Sequence, residues 1–162
     1  MTASWQASIG IINGAVTQRM PNIYNIPLIF GACLSAMAAI LHVGILLNGA
    51  SWYRFFGAGE AMARAVEDGR LYPALVTGTI AVILGVWSAY ALSAAGVLRA
   101  APLLRPVLCA ITLIYLFRGL VLVPVLIMPR TPATTFGVWS SGICLVFAAT
   151  HLIGLFQVWG KL

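Results

Sequence analysis

The sequence predicts an all-α membrane protein: a four-transmembrane-helix antiparallel bundle with an amphipathic interfacial segment between the first and second spanning helices. Three observations predict it. Hydrophobic residues fill 62% of the 162 positions and charged ones only 7%, against about 25% charged in an ordinary soluble domain. The mean hydropathy is +1.02. The apolar residues gather into four runs of about 20 residues or more, each long enough to cross a hydrocarbon core of about 30 Å at a rise of about 1.5 Å per residue. Lipid offers no water to an unpaired backbone group, so a helix is the structure such a run takes.

Residues 1–25 read as an N-terminal tail with a short interfacial segment near Ile11 and Ile12. A basic stretch followed by a compact apolar core is lacking there, so no cleavable signal peptide is expected and the first apolar run stays as an anchor. Residues 26–162 read as one transmembrane domain. Its spans are placed at about 26–47, 71–98, 106–128 and 135–159. "RAAPLLR" and "PRTPAT" are short turns, and helices joined that way pack antiparallel. Small residues recur every four positions: Gly31, Ser35 and Ala39 in the first span, Thr77, Ala81, Gly85, Ala89 and Ser93 in the second, Ser140, Cys144 and Ala148 in the fourth. Such stripes let membrane helices approach closely, within one chain or between two copies. Pro124 has no N–H to give to the Leu120 carbonyl, which predicts a kink in the third span.

The connection at 50–70, "ASWYRFFGAGEAMARAVEDGR", differs in character from the other two. Trp52, Phe55, Phe56, Met62, Ala63 and Val66 follow helical spacing, and Arg54, Arg64, Glu67 and Asp68 lie off that stripe. A helix in the plane of the interface fits this pattern. Gly57 and Gly59 predict a break, leaving a helix near Glu60–Asp68 closed by Gly69. Trp52, Tyr53 and Tyr72 suit an interfacial aromatic belt.

The formal charge of +6 comes from nine basic residues against three acids. The basic residues stand singly near span ends, as topology requires, and form no stripe, so nucleic acid is excluded as a partner. Let side A be the side of the N-terminus and side B the other. Arg19, Arg99, Arg105 and Lys161 fall on side A, and Arg54, Arg64, Arg70 and Arg130 on side B. The tie leaves orientation to a lean toward both termini inside. Cys33, Cys109 and Cys144 lie within apolar runs without C-x-x-C spacing, so no disulfide, zinc site or redox pair is expected.

"SWYRFFGAGEAMA", with "YALSAAG" and "IYLFRGL" further on, resembles an uncharacterised family of small four-span bacterial inner-membrane proteins. The resemblance runs over most of 26–159. It implies four spans and a bacterial inner membrane, and it carries no activity and no residue roles.

Arg118 is the informative residue. A charge within a span costs from about 3 kcal/mol on insertion scales to over 10 in simulation, so it is expected to face the bundle interior or a wet cavity. Counted from Pro106 it lies about 18 Å in from side A, near mid-membrane. Its helix face includes Tyr115, Val121 and Leu122. Three partners are open to it: the freed Leu120 carbonyl, an acid, or the anionic or polar head group of a ligand. No span contains an acid, and Glu60 is the nearest candidate, with a surface pair to Arg64 four residues on as its competing role. His42 falls within about 6 Å of the Arg118 level by the same rise, and Asn48 lies nearer side B. His42, Asn48, Arg118 and Glu60 are thus expected around one cavity opening on side B.

His42 and His151 invite a haem, but they differ in depth by roughly 15 Å. Two axial ligands must face each other, so no cofactor is expected. Trp87 and Tyr90 share the side-A layer of His151 and offer it hydrogen bonding. The spans hold no carboxylate, and neither H-E-x-x-H, G-x-S-x-G nor a phosphate-binding glycine loop occurs, so enzyme chemistry has no visible carrier. The sequence therefore points to a non-enzymatic membrane-embedded binding or accessory protein for a lipid-like ligand or partner helix. The alternative is a small oligomeric transporter or channel subunit. The partners expected are membrane lipids, with a second copy of the chain or another membrane protein as the candidate protein partner.

Overall fold

Asn25 marks where the first spanning helix begins. In the computed structural model, which describes residues 24–127 and 135–161, its side-chain oxygen accepts the Leu28 N–H at 2.9 Å and caps α1, Ile26–Asn48. Pro27 sits in the first turn, where a helix leaves N–H groups unbonded anyway. Asn25 also gives its backbone N–H to the Ala95 carbonyl and its side-chain amide to Gln157. One residue therefore ties together the side-A ends of three spans.

The chain continues through α2 (Ala50–Phe55), α3 (Glu60–Glu67), α4 (Tyr72–Ala94), α5 (Leu104–Leu120), α6 (Leu122–Ile127) and α7 (Thr135–Val158), and closes with a 3-10 turn at Trp159–Lys161. Of the described residues 84% are helical and none is in a strand. Among the described residues four stretches are long and apolar enough to cross a membrane: Ile26–Asn48, Tyr72–Ala94, Leu104–Pro124 and Phe136–Lys161. The protein is an all-α four-helix bundle, and these are the helices of an integral membrane protein. Its main packing runs from α1 to α4 and α7, and from α5 to α7. The pairing of Asn25 with Ala95, and of the Arg105 guanidinium with the Trp159 carbonyl at 3.1 Å, joins the start of one span to the end of its neighbour. That is the antiparallel arrangement.

The bundle core runs through Leu28, Leu84, Leu108, Ile111, Tyr115, Phe147 and Leu155. A separate small core of Ile45, Tyr53 and Ala63 lies under the α2–α3 hairpin. Apolar residues facing outward, such as Phe30, Ile40, Leu113, Phe117 and Phe156, suit a lipid surround.

Several elements differ from the expected bounds. The second span ends at Ala94 rather than near Leu98. Gly96 takes φ +82°, and the Val97 N–H turns back to the Leu92 carbonyl, a glycine-dependent helix stop. The loop after it is held by Ser93, whose hydroxyl donates to the Arg99 carbonyl and accepts the Ala101 N–H. The third span starts two residues before Pro106 and is interrupted at Val121, between α5 and α6, beside the Leu120 carbonyl to which Pro124 has no N–H to give.

The small-residue stripe of α4 is only partly a packing face. Thr77, Ala81 and Ser93 are buried, but Ala89 is exposed and Gly85 has no neighbour within 4 Å of where a Cβ would be. Steps of four rotate the stripe about 40° each time on a helix of 3.6 residues per turn. The buried line instead alternates steps of four and three: Thr77, Ala81, Leu84, Ser88, Ala91, Ala95. At Ser88 its hydroxyl crosses to the Ala32 carbonyl of α1 at 2.9 Å. Gly31, by contrast, is a true close approach: a Cβ there would stand 2.8 Å from the His151 ring.

The interfacial segment forms as a hairpin, α2 followed by α3. Gly57 (φ +66°) and Gly59 (φ +97°) make the reversal, and Gly69 (φ +71°) follows the end of α3. Tyr53 is not part of an aromatic belt. It is buried, and its hydroxyl is shared between the Pro73 carbonyl at 3.1 Å and Thr77 Oγ1 at 2.8 Å, which bolts the hairpin to α4. The three cysteines are free thiols. The tail features near Ile11 and Ile12, Arg19, the "PRTPAT" turn with Arg130, and the third span's end at Met128 lie outside the described residues.

Candidate binding site at the side-B end

Four polar residues were expected on one side-B cavity, and the structure puts each of them in a different place. Glu60 belongs to the hairpin. Its carboxylate takes two bonds from Arg54, at 2.9 and 3.1 Å, and one from Arg64 at 3.1 Å. Arg54 reaches Glu67 as well, at 2.7 and 3.0 Å. The Arg54 hydrogen bond, then that of Arg64, holds the Glu60 carboxyl down at about 2. The Arg54 bond also lowers Glu67, and the two carboxylates raise Arg54 in turn. Asp68 pairs with Arg70 at 3.7 Å. All three acids of the chain are thus engaged on the hairpin and its exit, and none is left for Arg118.

Arg118 bonds instead to two neutral hydroxyls on α7: Nη1 to Ser141 Oγ at 3.0 Å and Nη2 to Ser140 Oγ at 2.8 Å. It is exposed where α5 meets α7 and does not point into the bundle interior. Counting from Leu104, where α5 begins, its backbone lies about 21 Å in from side A, in the side-B half of a core of about 30 Å. An arginine stem there can carry its head toward the interface. Gly119 next to it packs on Leu145 of α7, with 2.7 Å from a Cβ position to Leu145 Cγ, and this close seam is what brings the serines within reach.

Tyr115, three residues earlier, turns the other way. It is buried, meets Ser35 Oγ of α1 at 2.9 Å, and stacks edge-on against Trp87 and Phe147. His151 lies against the same ring with its centroid 5.3 Å away. Its Nδ1 pairs with the Phe147 carbonyl at 2.8 Å, not with Trp87 or Tyr90, and its Nε2 is buried with no partner among the described residues. Asn48 is exposed and bonds back to the Gly44 carbonyl of its own helix.

His42 does line a side-B cavity. The space is about 180 Å³, and its walls come from α1, the hairpin, α4 and the start of α7, including Ile45, Phe56, Met62, Ile80 and Phe136. Asn48, Glu60 and Arg118 are not among its walls. Phe136 and Ser140 lie one turn apart on α7, so the Arg118 seam and the cavity share that helix end. His42 stands eleven residues, about 16 Å, farther along α1 than Gly31, against which His151 packs. The two imidazoles occupy different levels. Sequence reasoning missed Ser140 and Ser141 as partners of Arg118, although Ser140 stood in the small-residue stripe. It also missed Asn25, whose only signal was its place before "IP".

A second, larger space of about 500 Å³ opens at side A between Asn25, Ser93, Leu104 and Gln157. No group of three or more metal-ligating side chains occurs among the described residues. The sequence matches no family model, and no curated protein or solved structure is significantly similar to it.

Proposed function

We propose that this integral membrane protein is a non-enzymatic binding or accessory protein whose Arg118 holds the anionic head group of a lipid-like ligand near the side-B surface. A partner helix carrying an acid would meet the same guanidinium. One observation carries the reading. Arg118 is a permanent charge in a spanning helix, its partners among the described residues are two neutral serines, and all three acids of the chain are committed elsewhere. These two serines use two of the five N–H donors of the guanidinium, one on each Nη, and three donors remain for a phosphate or carboxylate. The packing of Tyr115 against Trp87 and Phe147 in the bundle core favours this over a conducting subunit.

The setting in this proposal is a bacterial inner membrane with both termini in the cytoplasm. The side-B residues Arg54, Arg64 and Arg70 are ion-paired, while Arg99, Arg105 and Lys161 on side A have no carboxylate partner among the described residues. An anionic cytoplasmic leaflet attracts the second set.

Native mass spectrometry of the protein released from lipid nanodiscs tests the reading. The wild type is expected to keep anionic phospholipid adducts that Arg118→Leu loses and Arg118→Lys partly keeps. Adducts unchanged in Arg118→Leu would sink the proposal.

A further inference from the structure

The His42 cavity is separate from the Arg118 seam, and its chemistry is narrow. Almost every wall is apolar: Leu41 and Ile45 from α1, Val76 and Ile80 from α4, Phe56 and Met62 from the hairpin. Its polar members are His42, Tyr53 and Thr77. Tyr53 and Thr77 are bonded to each other, and Tyr53 also to the Pro73 carbonyl. That leaves His42. Its Nδ1 lies 2.7 Å from the Ala38 carbonyl. A carbonyl only accepts, so Nδ1 carries the hydrogen and the other nitrogen of the neutral ring, Nε2, presents a lone pair. Among the described residues nothing donates to it.

Water is a poor occupant. It needs two to four polar partners, and apolar cavities of about 150 Å³ stay dry yet take up benzene. At about 180 Å³ the space holds one substituted six-membered ring and is too small for a sterol or an acyl chain. Aromatic edges from Phe56 and Phe136 and the Met62 thioether suit a π face. Leu41, Val76 and Ile80 are exposed on the outside of the bundle, so a ring dissolved in the bilayer has a lateral way in.

We propose that this cavity is a binding site for a hydroxylated aromatic ring, a phenol or hydroquinone head, whose O–H donates to His42 Nε2. The proposal does not rest on Arg118.

The test uses the whole chain in lipid nanodiscs, labelled with ¹⁵N-histidine, at mildly alkaline pH where an imidazole is neutral. The probes are 4-ethylphenol and its methyl ether, which has nearly the same shape and partitions into bilayer but cannot donate. The phenol is expected to shift one Nε2 resonance, and the ether is expected to bind about tenfold more weakly, the worth of one hydrogen bond. The shifting resonance is expected to vanish from the spectrum of His42→Phe, and the shift with it. Arg118→Leu is expected to leave it intact, so failure of the lipid reading and failure of this one are told apart. Equal responses to phenol and ether, no response to either, or a response that persists in His42→Phe each overturn the proposal. The wild-type comparison of the two probes needs no variant to fold.

Discussion

Ser35 on α1 and Tyr115 on α5 share a hydrogen bond of 2.9 Å in the buried core. Ser35 also bonds to the Gly31 carbonyl at 3.0 Å, and its oxygen is the one that must donate there. Tyr115 therefore donates to Ser35, and the short chain ends on the backbone with every hydrogen used. Tyr115→Phe is expected to cost about 1 kcal/mol, since Ser35 keeps its backbone acceptor. Reversible unfolding in mixed micelles measures it. A loss several times larger would mean that the phenol holds more than this bond.

Gly31 faces His151 so closely that a methyl group has no room: the ring carbon Cε1 lies 2.8 Å and Nδ1 2.9 Å from the Cβ position. His151 is fully buried and cannot swing out. Gly31→Ala is expected to destabilise by about 1–3 kcal/mol through overpacking. In the background of His151→Ala the same substitution is expected to cost much less. A double-mutant cycle showing additive effects would refute the contact as the cause.

Acid is expected to loosen the hairpin first. The carboxyl of Glu60 is held at about 2 in the folded protein by Arg54 and then Arg64, and Glu67 is lowered by Arg54. A lowered carboxyl contributes stability above its ordinary range near 4.5 and loses it as pH falls toward about 2. The ¹⁵Nε signal of Arg54, which donates to Glu60, is expected to stay fixed through the ordinary carboxylate range near 4.5 and to move only as pH falls toward about 2. Glu60→Gln is expected to leave one transition, that of Glu67, which the Arg54 hydrogen bond still holds below its ordinary value of 4.5. Both groups are solvated, so the effect on global stability is small.

The proposed orientation is checked by labelling single cysteines in a chain whose three native cysteines are replaced. Ser51→Cys at the start of the hairpin and Ala100→Cys in the α4–α5 loop are both exposed. In intact cells a membrane-impermeant maleimide is expected to label Ser51→Cys and to reach Ala100→Cys only after permeabilisation. The reverse pattern would turn the protein over.

Most of the architecture was legible because lipid leaves few choices: long uncharged runs must become helices, and glycines placed as Gly57, Gly59 and Gly69 are must become turns. Gly96 carried the same signal and sets the end of α4 at a point where hydropathy alone overruns. The polar chemistry was less legible. The Glu60–Arg64 pair follows from spacing, but the stronger grip of Arg54 on Glu60 and Glu67 depends on how the chain reverses between α2 and α3. Which way Arg118 faces depends on where α7 sits against α5, and that close seam is made by Gly119 against Leu145. Tyr115 shows the limit clearly: it shares a helical face with Arg118 on a coarse count, yet the two side chains leave α5 toward different neighbours.

Gly57 has a bearing on biogenesis. Any side chain there would overlap the ring of Phe136, which rests on the bare backbone of the turn. The turn is synthesised early and Phe136 belongs to the last spanning helix. The hairpin can form its charge clasp as soon as it leaves the ribosome, but its final seat does not exist until the fourth span has entered the membrane. Insertion of that span is therefore the step that closes the side-B end of the molecule.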